Sequence, residues 1–145
     1  MESEYDVIQN QAFTSEIKGY MRLPQRAESK VRSSVWGLAK HSAGLSITFF
    51  TNSPKIEVRY ETISTSYAMP HMPSTGVSGV DMYRIDEEGV CDYVAPSRYI
   101  FGDNVTYRYH DLPATPRHGL GYEYRVYLPL YNGVKTLEIG VDEGS

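Results

Sequence analysis

Charged and apolar positions alternate strictly through Lys55-Ile56-Glu57-Val58-Arg59-Tyr60-Glu61-Thr62-Ile63. Successive side chains of an extended chain leave on opposite faces, so Ile56, Val58 and Tyr60 share one face and Lys55, Glu57, Arg59 and Glu61 the other. That pattern predicts an antiparallel strand with one buried side. Leu45 to Phe50 predicts a strand just before it, joined through Thr51-Asn52-Ser53-Pro54, which has the composition of a turn. Val35-Trp36-Gly37-Leu38-Ala39, running into His41-Ser42-Ala43-Gly44, predicts a further strand, and the three together a meander.

The second half repeats this rhythm. Gly79 to Ile85 and Val90 to Val94 flank Asp86-Glu87-Glu88-Gly89, a hairpin by its turn chemistry. Val105 to Tyr109 alternates, and Tyr122 to Leu128 and Val134 to Val141 predict two more strands around Pro129-Leu130-Tyr131-Asn132-Gly133, where Asn132-Gly133 is a strong turn signal. Many short strands without a long amphipathic helix define an all-β chain, expected as an antiparallel β-sandwich with jelly-roll topology. Residues 1–19 are expected to be an N-terminal extension or linker, and 20–145 a single domain. The stretch from Ala95 to Gly121, with Pro96, Pro113 and Pro116, predicts long loops at one end of the sandwich.

Length agrees with this division: 145 residues suffice for one core. The net charge of −4 disfavours nucleic acid as a partner, because phosphate backbones need a clustered basic face and the lysines and arginines here are dispersed. No apolar run approaches the roughly 20 residues of a membrane span. The N-terminal MESEYDVIQN has neither the basic start nor the apolar centre of a signal peptide. The single cysteine, Cys91, allows no internal disulfide and is expected to be a small half-buried residue. Tyrosine stands out, with 13 copies against one Trp and four Phe. It suits half-buried sheet faces and contact surfaces.

Candidate chemistry is sparse. Gly76-Val77-Ser78-Gly79-Val80 nearly spells the G-x-S-x-G nucleophile elbow, but Val80 stands where the tight turn demands glycine, and a strand follows instead of a helix. Gly76 and Gly79 are expected to permit a turn or bulge before that strand. Gly102-Asp103-Asn104 imitates the Gly-Asp-Ser start of GDSL-type lipases but lacks the attacking hydroxyl. His41, His71, His110 and His118 show no metal-ligand spacing, so no metal is expected. Asp81 breaks the pattern of its strand. Two readings stay open: the acid ties down its own loop through backbone N–H groups of Gly76 to Gly79, or it takes part in contact with a ligand or partner.

Several blocks carry a family resemblance. Met21-Arg22-Leu23-Pro24, Val35-Trp36-Gly37-Leu38-Ala39, His41-Ser42-Ala43-Gly44-Leu45 with Phe49, Thr51-Asn52-Ser53, His71-Met72-Pro73 with Gly76, Gly79-Val80-Asp81-Met82-Tyr83 and Tyr127-Leu128-Pro129-Leu130-Tyr131-Asn132-Gly133 follow one another in order. Together they resemble the N-terminal, GxDLY-type domain of SGNH-type esterases, from about residue 20 to 141, with Met82 where the family name has leucine. The resemblance implies a β-sandwich placed before a catalytic SGNH domain, whose serine, oxyanion-hole glycine and asparagine, and Asp/His pair lie downstream. None of those blocks occurs here, so no catalytic residue and no cofactor is expected in this chain.

The resemblance further implies a partner, the catalytic SGNH domain of the same polypeptide, in a periplasmic or secreted parent that removes acyl groups from carbohydrate. His71, Met72, Gly76, Gly79, Asp81 and Tyr83 are the residues expected at the substrate cleft or domain contact. The alternative is a free-standing carbohydrate-binding module that stacks sugars on Tyr107, Tyr109, Tyr122, Tyr124 and Tyr127. The simpler expectation for those rings is that they fill a sandwich core or its rim.

Overall fold

A computed structural model describes residues 7–114 and 121–145. Its strands form two antiparallel sheets. The first contains β1 (Ile8–Gln9), β2 (Ser46–Thr51), β4 (Asp81–Ile85), β5 (Cys91–Val94) and β7 (Tyr122–Tyr127), in the order β1-β2-β7-β4-β5. The second contains β3 (Ile56–Thr62), β6 (Val105–Tyr109) and β8 (Val134–Val141), in the order β6-β3-β8. Two short helices, α1 (Ser33–Ala39) and α2 (Ser74–Ser78), lie outside the sheets.

One core joins both layers. Ile47, Met82, Tyr124 and Val126 come from the five-stranded sheet, and Ile56, Val58, Tyr60, Val105, Tyr107 and Tyr109 from the other. The alternation in β3 does what hydrophobic burial demands: Ile56, Val58 and Tyr60 are buried while Glu57 and Arg59 are exposed. Outward charges then pair across strands, Arg108 to Glu57 at 2.6 Å and Arg59 to Glu138 at 2.7 Å. The chain is therefore an all-β sandwich.

Several sequence expectations change. Val35 to Ala39 is helical, not a strand. Trp36 and Ala39, three residues apart, are buried on one face while Leu38 is exposed, and the carbonyls at its C-terminal end are taken up by Arg22, whose backbone N–H donates to Ala39 O at 2.9 Å and whose guanidinium donates to Leu38 O at 2.6 Å. The meander is also absent, because β2 and β3 are consecutive in sequence but belong to different sheets. The expected turn or bulge before β4 is the short helix α2. Residues 7–19 supply the edge strand β1, paired to β2 through Ile8 and Ile47, and the buried Ile17. Of the long loop from Ala95 to Gly121, Pro116 and His118 lie outside the described residues.

Asn132-Gly133 is not a hairpin turn, since β7 and β8 also lie in different sheets. Gly133 has no positive φ; it is needed for space, because a Cβ there would strike the Ile63 side chain and lie 2.5 Å from Lys40 O. Gly133→Ala is accordingly expected to cost about 2 kcal/mol through overpacking, read as a lower urea midpoint at unchanged slope.

Candidate functional site

β4 is an interior strand of the first sheet, between β5 and β7, so its alternate side chains sort cleanly. Val80 and Met82 are buried, at 1 % and 0 % exposure, and Asp81, Tyr83 and Ile85 take the opposite, outer face. Register sets their neighbours: Asp81 lies across from Tyr127 of β7, and Tyr83 across from Tyr93 of β5. Tyr83 meets both rings edge-on, at 5.6 Å from Tyr93 and 5.8 Å from Tyr127. An open hollow of about 400 Å³ forms on this face, lined by Gly44, Asp81, Tyr83, Cys91, Tyr127, Leu128 and Leu130.

Asp81 makes no hydrogen bond or ion pair with the described residues, and none of the Gly76 to Gly79 backbone N–H groups reaches it. The residue as a whole is exposed, yet it lines the hollow and its carboxyl group is partly withdrawn from water. That partial burial raises its pKa above the ordinary value of 3.8. The native state therefore holds the proton more tightly than the unfolded chain, and stability falls as pH rises from 3.8 through the raised pKa. Asp81→Asn is expected to give a small gain in melting temperature at pH 7 that vanishes at and below pH 3.8. Thermal melts across that range check it.

The other expected residues do not gather there. Met72 is half-buried and packs on Gly76, where a Cβ would come within 3.1 Å of its Cγ. Met69 and Met72 close their loop with reciprocal backbone hydrogen bonds of 2.9 and 3.1 Å. His71 is exposed at the loop tip. Gly79 is buried at the exit of α2, where a Cβ would lie 2.5 Å from Thr75 O. The structure thus brings Asp81 and Tyr83 together on the outer face, and sets His71 and Met72 in a loop that closes on itself, with Gly76 in α2 packed against Met72.

Ser78 is buried, and its Oγ accepts a hydrogen bond from Asn132 Nδ2 at 3.0 Å, so it is in no position to attack an ester. Asn132 is the residue the sequence reading undervalued. Its Nδ2 also donates to Ser64 O at 2.9 Å, its Oδ1 accepts from the backbone N–H groups of Ser64 and Gly133, and its carbonyl accepts from Ser42 N. The side chain joins the segments around residues 64 and 78 to its own, and the main-chain carbonyl of the same residue adds the segment at Ser42. Tyr127, Leu130 and Cys91 were also not singled out for the hollow. Strand register places Tyr127 and Cys91 there and the segment after β7 adds Leu130, and Cys91 is exposed where a half-buried residue was expected.

Tyrosines divide sharply by face. Tyr60, Tyr107, Tyr109 and Tyr124 are core residues at 1 % exposure or less, and burial pushes their hydroxyl pKa values up, keeping them protonated. Tyr60 donates to Ser78 O at 2.9 Å. Of the five rings considered for sugar stacking, Tyr107, Tyr109 and Tyr124 are therefore lost to solvent and Tyr122 is half-buried. Tyr127 remains exposed.

The family model for the GxDLY N-terminus of SGNH-hydrolase-type esterases matches residues 1–145. The chain belongs to this family. The outer-face pair Asp81 and Tyr83 and the buried Gly79 are the lettered positions of the GxDLY motif, with Met82 in place of its leucine. Among solved structures, the GxDLY domain is similar to a crystal structure described as a GDSL-like lipase from Bacteroides ovatus, with a TM-score of 0.77 and 28 % identity. The match covers 94 % of this chain and 38 % of that protein, so the GxDLY domain spans well under half of its length. No curated protein matches. Among the described residues no helix is long and apolar enough to cross a membrane.

Proposed function

We propose that this GxDLY domain is a non-catalytic accessory domain that packs on the SGNH catalytic domain of the same polypeptide and helps shape its substrate cleft. The observation that carries the reading is the outer face of β4 and β7. It presents an open hollow walled by Tyr83, Tyr127 and Leu130 around one unpaired carboxylate, Asp81. Tyr93, Tyr127 and Leu130 are exposed by 36 to 48 %, a cluster of large apolar groups of the kind that marks contact surfaces. Junctions between domains are frequent places for ligand pockets.

The parent is a serine-dependent ester hydrolase, periplasmic or secreted, that removes acyl groups from carbohydrate. Serine attack, an acyl-enzyme and hydrolysis by water would all belong to the catalytic domain. The chemistry of the hollow suits a sugar: tyrosine rings offer faces for C–H groups, and Asp81 accepts hydrogen bonds from hydroxyls.

The test uses a protein carrying both domains, with Tyr127→Ser and Leu130→Ser combined. KM for an acetylated oligosaccharide is expected to rise about tenfold, the equivalent of about 1.4 kcal/mol of lost contact, while kcat for p-nitrophenyl acetate stays near wild type. Unchanged constants for both substrates would overturn the accessory role. Saturable binding of polysaccharide by the GxDLY domain alone would favour the independent binding module instead.

A further inference from the structure

A second hollow lies on the opposite sheet and has a different chemistry. β6 is the edge strand of the three-stranded sheet. Its residues Val105, Tyr107 and Tyr109 point into the core, at 3 % exposure or less, so Thr106, Arg108 and, just beyond the strand, His110 take the outer side. The segment after β5 returns along this edge and is held by a hydrogen bond from Ser97 N to Arg108 O at 2.8 Å, with Pro96 buried behind it. Between strap and strand is a hollow of about 190 Å³ lined by Ser97, Arg98, Ile100, Thr106, Arg108 and His110.

The charge balance there is informative. Arg108 spends only its Nε, which donates to Glu57 Oε1 at 2.6 Å. Its terminal nitrogens, and all of Arg98 and His110, make no hydrogen bond or ion pair with the described residues. Two guanidiniums against one carboxylate leave a single positive charge in a chain of net −4. Guanidinium groups hold oxyanions through paired N–H donors, and the hydroxyls of Ser97 and Thr106 add two donors beside them. Ile100 offers the one apolar wall, against which the carbon skeleton bearing the anion would rest.

From this we infer that the β6 hollow is a binding site for the carboxylate of a small organic acid, gripped by Arg98 and Arg108. One net positive charge matches a carboxylate better than a phosphate dianion. This site is separate from the outer face of β4 and β7, and it stands or falls independently of the accessory role.

Titration of the isotopically labelled domain with sodium glucuronate, at constant ionic strength, tests it by amide shifts. Glucose and inorganic phosphate are the comparison ligands. Saturable shifts are expected at Ser97, Arg98, Thr106 and Arg108 with glucuronate and not with glucose. Arg98→Gln is expected to weaken that binding about tenfold or more and to leave the melting temperature unchanged, because Arg98 is exposed. Arg108→Gln, which strips the charge that offsets Glu57, is expected to abolish it. Linear, unsaturated shifts, equal responses to glucose, or wild-type affinity in Arg98→Gln would overturn the site. Tighter binding of phosphate than of glucuronate would overturn the assignment to a carboxylate.

Discussion

Asn132→Ala is expected to destabilise this domain by about 3–4 kcal/mol, more than any surface change. Removing the amide leaves Ser64 N and Gly133 N without their acceptor and Ser78 Oγ without its donor, in a place where Asn132 is 1 % and Ser78 1 % exposed, while Ser64 O keeps only its bond from Thr62 Oγ1. A buried donor or acceptor stripped of its partner costs about 1–3 kcal/mol, so losing several at once exceeds the loss of any single bond. Asn132→Asp separates the two roles of the side chain. It keeps the acceptor for Ser64 N and Gly133 N but replaces the donor with a second acceptor facing Ser64 O, and it should be at least as destabilising at neutral pH. Urea unfolding followed by far-UV circular dichroism reads both. A loss below about 1 kcal/mol in Asn132→Ala would show that the segments around residues 64, 78 and 132 do not depend on this side chain.

Met82→Ala is expected to cost about 3 kcal/mol, as large-to-small changes at buried sites do. Met82 is fully buried between Val94 of β5 and Val126 of β7 on the inner face of an interior strand, where the sheet cannot close over a void. Met82→Leu is the informative partner. Leucine has nearly the same volume, so the change should stay below about 1.5 kcal/mol. Met82 does not line the β6 hollow, so the wild-type response of that hollow should persist in Met82→Leu. Met82→Ala should lose that response only as the domain unfolds.

The two faces of β4 show how much of the site could be read from the chain. Alternation set Asp81 apart from Met82 without any structure, because a strand leaves its side chains no third direction. It could not say which face was buried. That was decided by the second sheet, which covers Met82 and leaves Asp81 beside Tyr83 and Tyr127. Likewise the tyrosines were conspicuous by number, but Tyr124 and Tyr127 sit three residues apart in one strand, and only the packing makes the first a core residue and the second a rim of the hollow. His71 and Met72 looked equally close to the site in sequence. The helix α2 intervenes, and their loop closes on itself instead.

Local pairing rules can also mislead when a short link joins two layers. Leu45–Phe50 and Lys55–Ile63 read as hairpin partners, and Asn132-Gly133 as a hairpin turn, because each joins two strand patterns through turn-forming residues. In both places the chain crosses between sheets, and Gly133 is required by the closeness of Lys40 and Ile63 instead of by a left-handed backbone. Val35 to Ala39 is a comparable case. Five residues are too few to separate helical from strand spacing, and Arg22, distant in sequence, supplies donors for the helix end.

Features that depend on neighbours along the chain were legible in its residues: the strand periodicities, the all-β class, the hairpin at Asp86 to Gly89, the missing elbow glycine at Val80 and the family blocks. Tertiary structure alone decided what depends on residues far apart in sequence. It buried one face of β4 and opened the other, made Asn132 a fastening for four segments, and brought Arg98 beside Arg108. Hydrophobic alternation acts over two residues, whereas a pocket or a hydrogen-bond hub exists only after sheets have paired and stacked.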